Sequence, residues 1–259
     1  MRDNLWDLVI KTRLGRRLYW GTRWGRFTPK APPHAPWPNA VLQSRREWQA
    51  AVEHATAIGL PTHQDGPKNW DCLAALHAIL EQTGPDARVL DAGSEVYSAI
   101  LPWLALYGYR DLVGINLKFG ERFAVGPVAY EHGDITRTHF ADAHFDAVTC
   151  LSVIEHNVPV EPYLREMARI LKPGGILVTS FDYFDPPLDT TGLTAYGGPV
   201  RVFDRAGVQE ILELARGLGL EPTSEVDLSC GEKPVTWRRF KLQFTFAVIT
   251  LRKAAQEVA

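Results

Sequence analysis

The chain has 259 residues, 46% of them hydrophobic and 22% charged, which is enough for one large core or for one domain with an extension. Its net charge of −2 forces no nucleic-acid-binding surface, so no nucleic-acid partner is expected. Cys72, Cys150 and Cys230 are widely spaced and form no C-x-x-C pair, so neither a disulfide framework nor a metal site is expected. No apolar run is long enough to span a membrane and no signal-peptide core is visible, so a soluble cytoplasmic protein is expected.

The charge is uneven. Residues 1–30 carry eight Lys/Arg against Asp3 and Asp7, a net of +6, which leaves −8 for the remainder. Trp6, Trp20, Trp24 and Trp37 are interleaved with these bases, and Pro29, Pro32, Pro33, Pro36 and Pro38 follow. Prolines remove backbone donors, so this stretch predicts an extended linker. The basic segment can act as a cap over a site, as a tail, or as a peripheral contact with an anionic membrane surface.

Apolar periodicity predicts helices over 45–58 and 69–82. Strands and helices then alternate: strand 87–91, helix 97–107, strand 111–116, a further strand at 128–131 and strand 145–151. Helix 160–171 stops at Lys172-Pro173-Gly174-Gly175, strand 176–181 follows, and helix 204–218 begins at Asp204, a suitable N-cap. The segment 240–251 is β-rich. Alternation of this kind predicts an α/β fold, with a mostly parallel sheet covered by helices on both faces. The domain is expected over 69–259, with an N-terminal extension over 1–68.

Ligands on such sheets bind at the carboxyl ends of the strands, beside the switch in strand order. Four strand ends carry suggestive residues. Val89-Leu90-Asp91-Ala92-Gly93-Ser94 runs from a strand into a loop where glycine permits close backbone approach. Gly114-Ile115-Asn116-Leu117 ends the next strand in a polar residue, and Gly133-Asp134-Ile135 is a polar step that is also a common turn. Phe145-Asp146-Ala147-Val148 leads to Leu151-Ser152-Val153-Ile154-Glu155-His156, and the Arg169–Gly175 turn comes after it.

In order and spacing these four resemble the class I S-adenosylmethionine-dependent methyltransferases, over roughly residues 70–252. The resemblance implies a Rossmann-like, seven-stranded, mostly parallel sheet with a C-terminal antiparallel strand. It implies S-adenosyl-L-methionine as cofactor, with Asp91, Gly93, Ser94, Asn116, Leu117, Asp134, Ile135 and Leu151 around it. Two departures stand out. Glu95 and Tyr97 occupy places that are usually glycine, and Asn116 replaces the usual acid that accepts from the ribose hydroxyls. The missing glycines weigh more heavily against a nicotinamide-dependent oxidoreductase, whose G-x-G-x-x-G is absent.

Methyl transfer from a sulfonium needs alignment, exclusion of water and, for a hydroxyl acceptor, removal of a proton. His156 is the expected general base, although with Glu155 it could equally cap the following loop. The long insertion 182–203 is expected to act as a lid, with Glu155, Asp182, Tyr183 and Tyr196 as acceptor contacts. The expected reaction is methylation of a small-molecule or glycan-like acceptor, at oxygen rather than nitrogen. A catalytically silent, partner-binding relative is the alternative that Glu95, Tyr97 and Asn116 suggest.

Overall fold

The computed structural model describes residues 11–34, 39–195 and 198–255. In chain order the elements are α1 (Arg13–Arg23), β1 (Ala40–Val41), α2 (Arg45–Ala57), α3 (Lys68–Gln82), β2 (Arg88–Ala92), α4 (Ile100–Leu106) and β3 (Asp111–Asn116). They continue with β4 (Phe123–Val125), β5 (Val128–His132), β6 (Phe145–Leu151), α5 (Val160–Ile170), β7 (Leu171–Tyr183), β8 (Thr194–Ala195) and β9 (Gly198–Pro199). The last four are α6 (Arg205–Gly217), β10 (Leu220–Pro222), β11 (Val235–Trp237) and β12 (Leu242–Lys253).

The main sheet runs β1-β12-β7-β6-β2-β3-β5-β4, with β10 and β11 also paired to β12. Its centre, β5-β3-β2-β6-β7, is parallel, and β12 is antiparallel to β7. Among the described residues the sheet therefore has ten strands, three more than the seven expected. The additional β1, β4 and β11 are two or three residues long, too short to leave a periodic signal in the sequence. β2 is the first strand of the parallel set and pairs with β3 on one side and β6 on the other. The strand order switches beside it, the place where ligands bind on sheets of this kind.

Alternation along each strand divides the core between two faces. Val89, Ala147 and Val178 join Trp70, Leu73, Leu76 and Trp103 under α2, α3 and α4. Leu90, Val148 and Leu177 join Tyr163, Leu164, Met167, Val208 and Ile211 under α5 and α6. Asp204 caps α6 as expected, its side chain accepting from the Gly207 N–H.

Some boundaries differ from the sequence reading. α4 begins at Ile100, because the Ser98 hydroxyl accepts the Glu95 N–H at 3.1 Å and holds 95–98 as a turn. α1 was not expected in the basic segment. Thr12 caps it, and its Tyr19, with Trp24 just beyond its end, joins the core on the α3 side. Gly126 accommodates it, since a Cβ there would lie 2.1 Å from the Trp20 ring. No helix among the described residues is long and apolar enough to cross a membrane.

Candidate active site

The expected cofactor residues follow the carboxyl ends of four neighbouring parallel strands, β2, β3, β5 and β6. Asp91, 3% exposed, accepts from the Thr149 hydroxyl of β6 at 2.7 Å. Burial raises its carboxyl above the ordinary value, and the nearby Ser94 and Thr149 hydroxyls offset part of that rise. The Gly93 and Ser94 N–H groups both donate to the Ile115 carbonyl at 2.9 Å, folding the loop back toward β3. Gly93 has φ +89°, and a Cβ there would stand 2.5 Å from Val153 Cγ2. Its glycine requirement thus comes from backbone conformation and from Val153, where the sequence suggested room for a ligand.

Asn116 differs from expectation. Its Nδ2 donates to the Ser94 carbonyl at 3.0 Å and the Gly93 carbonyl at 3.4 Å, while its Oδ1 accepts from the Lys118 N–H at 3.1 Å. The side chain ties β3 to the loop after β2, so it is not presented as a free acceptor. One step further out, Lys118 and Glu95 form an ion pair across the same gap. Leu117 is exposed, and its carbonyl accepts from His132 Nδ1. Asp134 is exposed, with Oδ1 accepting from both the N–H and the hydroxyl of Thr136. Ile135 is buried in the α5 and α6 face, and Leu151 packs against the opposite core.

Below this rim lies a buried polar cluster that sequence reasoning missed in part. Lys68 opens α3, makes an ion pair with Asp71 and donates to the Ser152 hydroxyl at 2.6 Å. Its ammonium also stands 4.9 Å from the centre of the Phe246 ring. Asp71 is wholly buried and accepts from the Ser180 hydroxyl of β7 at 2.6 Å. The detectable signal was a Lys and an Asp three residues apart in the first turn of a helix that is otherwise buried nearly all round.

Glu155 follows β6, is 1% exposed, and neither carboxyl oxygen completes a hydrogen bond. Asp182, near the end of β7, is 5% exposed. Burial pushes Glu155 up to about 7 and Asp182 well above the carboxylate range, with the charge of Glu155 acting on Asp182 in the same direction. Ser152 supports this turn with φ +54°, its N–H donating to the Ser180 carbonyl. Strained backbone of this kind in a non-glycine residue is characteristic of functional loops.

His156 is half-buried, with its ring 6.2 Å from that of Trp237. Burial and the Lys68 charge lower it to about 4, so the imidazole is neutral and a weak proton acceptor near pH 7. The insertion after β7 folds over the same turn. The Arg201 N–H donates to the Glu155 carbonyl at 3.3 Å, and Gly198 sits so close to Asn157 that a Cβ would meet it at 2.5 Å. Tyr183 is a correction. It points into the α5 and α6 face and donates its hydroxyl to the Leu228 carbonyl, away from the cluster, because it is adjacent to Asp182 on a pleated strand. Tyr196 lies outside the described residues.

The cofactor implied by the sequence carries a fixed positive sulfonium. Four buried carboxyl groups (Asp71, Asp91, Glu155 and Asp182) against one half-buried lysine, Lys68, suit that charge, and Glu155 offers two buried oxygens with no hydrogen bond. The fit is thus good at the sulfur and altered at the ribose, where Asn116 already serves the loop.

The strand order, with antiparallel β12 beside β7, is that of a Rossmann-like α/β sheet. Residues 90–179 match the family model described as a methyltransferase domain, so the chain carries such a domain. It is 38% identical over 119 residues to a demethylmenaquinone methyltransferase from Mycolicibacterium paratuberculosis, covering 44% of this chain and 48% of that protein. It is 32% identical over 123 residues to the 27-O-demethylrifamycin SV methyltransferase of Amycolatopsis mediterranei, covering 45% and 44%. The chain therefore spans less than half the length of these two curated relatives. Among solved structures it is similar to Burkholderia thailandensis 1,6-didemethyltoxoflavin-N1-methyltransferase, with TM-score 0.51 and 20% identity over 86% of this chain and 94% of that one. A methyltransferase from Mesorhizobium loti gives TM-score 0.52 and 16% identity over 73% and 99%. Identities this low speak for the fold alone.

Proposed function

We propose that the protein is an S-adenosylmethionine-dependent methyltransferase acting on a hydroxyl of a small-molecule acceptor. The observation that carries this reading is Glu155, buried and without a hydrogen bond to either oxygen, at the strand ends where the four motifs converge. The cofactor, when bound, supplies an activated methyl group. Asp91, the 93–94 loop that Asn116 braces, Leu117, Asp134, Ile135 and Leu151 would hold it. The turn 152–156 and the insertion 182–203 would exclude water and present the acceptor. The methyltransferase names of the curated relatives support a small-molecule acceptor, and one of those names specifies an O-demethyl substrate. A hydroxyl acceptor must lose a proton, and Glu155 suits that role better than His156, since its proton affinity lies nearer neutrality.

The test has two parts. S-adenosylhomocysteine should bind with micromolar-class affinity, and labelled methyl should appear in a small-molecule product after incubation with fractionated extract. A second reading, a partner-binding protein without turnover, is favoured by the Asn116 and Glu95–Lys118 bridges across the ribose side. Absence of binding in the same titration would favour it.

A further inference from the structure

Helix α1 rests on the protein by one face. Gly15 and Tyr19 are buried, the Trp20 ring lies over Gly126, and the Arg16 guanidinium stands 5.7 Å from the centre of the Phe123 ring on β4. Helical spacing then turns Arg13, Leu14, Arg17, Leu18 and Gly21 outward, and all five are exposed. Leu14 and Leu18 are one turn apart at 68% and 57% exposure, two of the four large apolar side chains so exposed among the described residues. Turning the helix to bury them would draw Tyr19 out of the core and Trp20 away from Gly126, so the inner contacts hold this apolar pair in solvent. Single exposed leucines are common, whereas a pair on one helix face flanked by bases is the pattern of an interfacial helix.

Charge decides what covers this face. From Lys11 to Lys30 the chain has seven Lys/Arg and no Asp or Glu. A second copy related by a two-fold axis would bring Arg13 and Arg17 against their own equivalents. Nucleic-acid phosphates would use the bases and leave the leucines in water. A bilayer with anionic headgroups takes both. Leu14 and Leu18 enter the acyl boundary, while the long stems of Arg13 and Arg17 let their guanidinium groups stay among the phosphates.

We propose that the outer face of α1 docks on an anionic lipid bilayer, with Leu14 and Leu18 inserted and Arg13 and Arg17 on the headgroups. The helix is linked to the candidate site through Phe123, whose ring is 5.5 Å from that of Phe119, in the loop after β3 that also exposes Leu117. Docking of this kind is independent of the acceptor and of the role given to Glu155.

The test is co-sedimentation of the full chain with two vesicle preparations, phosphatidylcholine alone and phosphatidylcholine mixed with phosphatidylglycerol. The protein should bind the anionic vesicles and stay in solution with the neutral ones, and binding should weaken steeply as salt is raised. Arg13→Gln with Arg17→Gln should lower vesicle affinity roughly 30-fold. Leu14→Gln with Leu18→Gln should lower it by at least about ten-fold at unchanged charge. Glutamine keeps helix propensity at these exposed positions, so the thermal midpoints of both variants should match wild type. Equal binding to both vesicles, no binding to either, or an affinity unmoved by the leucine pair would overturn the proposal. So would a concentration-dependent dimer that the leucine pair abolishes, which would assign the face to a second copy, or a nucleic-acid duplex bound more tightly than the anionic vesicles.

Discussion

The Asn116 side-chain amide donates to the Ser94 carbonyl at 3.0 Å, and through that bond the end of β3 holds the loop that follows β2. An acid at this position could not make the bond, and its carboxylate would face the carbonyl oxygens of Gly93 and Ser94. The replacement of the usual acid is therefore coupled to the shape of the loop.

Restoring the usual acid by Asn116→Asp should therefore not tighten cofactor binding. Losing the donor and placing a charge against two carbonyls should weaken S-adenosylhomocysteine binding by roughly 1–3 kcal/mol. Isothermal titration of the variant checks this, and equal or tighter binding would show that the loop does not depend on the amide.

Gly93→Ala should cost stability before it costs binding. Its φ of +89° and the 2.5 Å approach to Val153 are both penalties, together on the order of 1–3 kcal/mol or more. Val153→Ala in the same chain should recover part of the loss in urea denaturation, since it relieves the contact and leaves the φ cost. No recovery would place the whole effect in the backbone.

Lys68→Met should be among the more damaging single substitutions. It leaves Asp71 wholly buried without its cation, at a cost of about 3–5 kcal/mol. Adding Asp71→Asn should restore a measurable part of the midpoint, because the uncompensated charge is then gone. A double variant no more stable than Lys68→Met would mean that Lys68 acts through packing against Phe246.

Glu155 makes a pH prediction with a definite sign. Its folded value of about 7 lies above the ordinary 4.5, so between these values the native state binds more protons than the unfolded one. Stability contributed by Glu155 is then greatest at low pH and falls as pH rises through this window, by on the order of 2–3 kcal/mol. His63 and His156, lowered to about 4, act in the opposite direction and gain stability from pH 4 upward. The wild-type curve alone therefore conceals the effect. Wild type minus Glu155→Gln isolates it, and a difference that does not change between about pH 4.5 and 7 would refute the buried, protonated state.

Local pattern was sufficient for the parallel core. Short runs such as Val89–Asp91 and Phe145–Leu151 alternate with helices whose apolar faces recur at helical spacing, and Asp204 marks a helix start by its own side-chain chemistry. Those signals reside in neighbouring residues, so the sequence by itself determined the α/β class and the order of the strand-end motifs. It also located Asp91, Gly93, Asn116, Asp134 and Glu155 at one edge, because the carboxyl ends of parallel strands must share it.

What joins across that edge was decided only by tertiary structure. Lys68 and Asp71 are 84 and 109 residues from Ser152 and Ser180, the groups they bond. Tyr183 turns away from Asp182 because adjacent residues on a pleated strand face opposite sides. Asn116 finds carbonyl acceptors in a loop more than 20 residues earlier. The proton affinities follow the same division: Glu155 rises and His156 falls because folding removes both from water beside Lys68, Asp71 and Asp182. Desolvation and long-range charge are properties of the packed chain, and no local pattern encodes them.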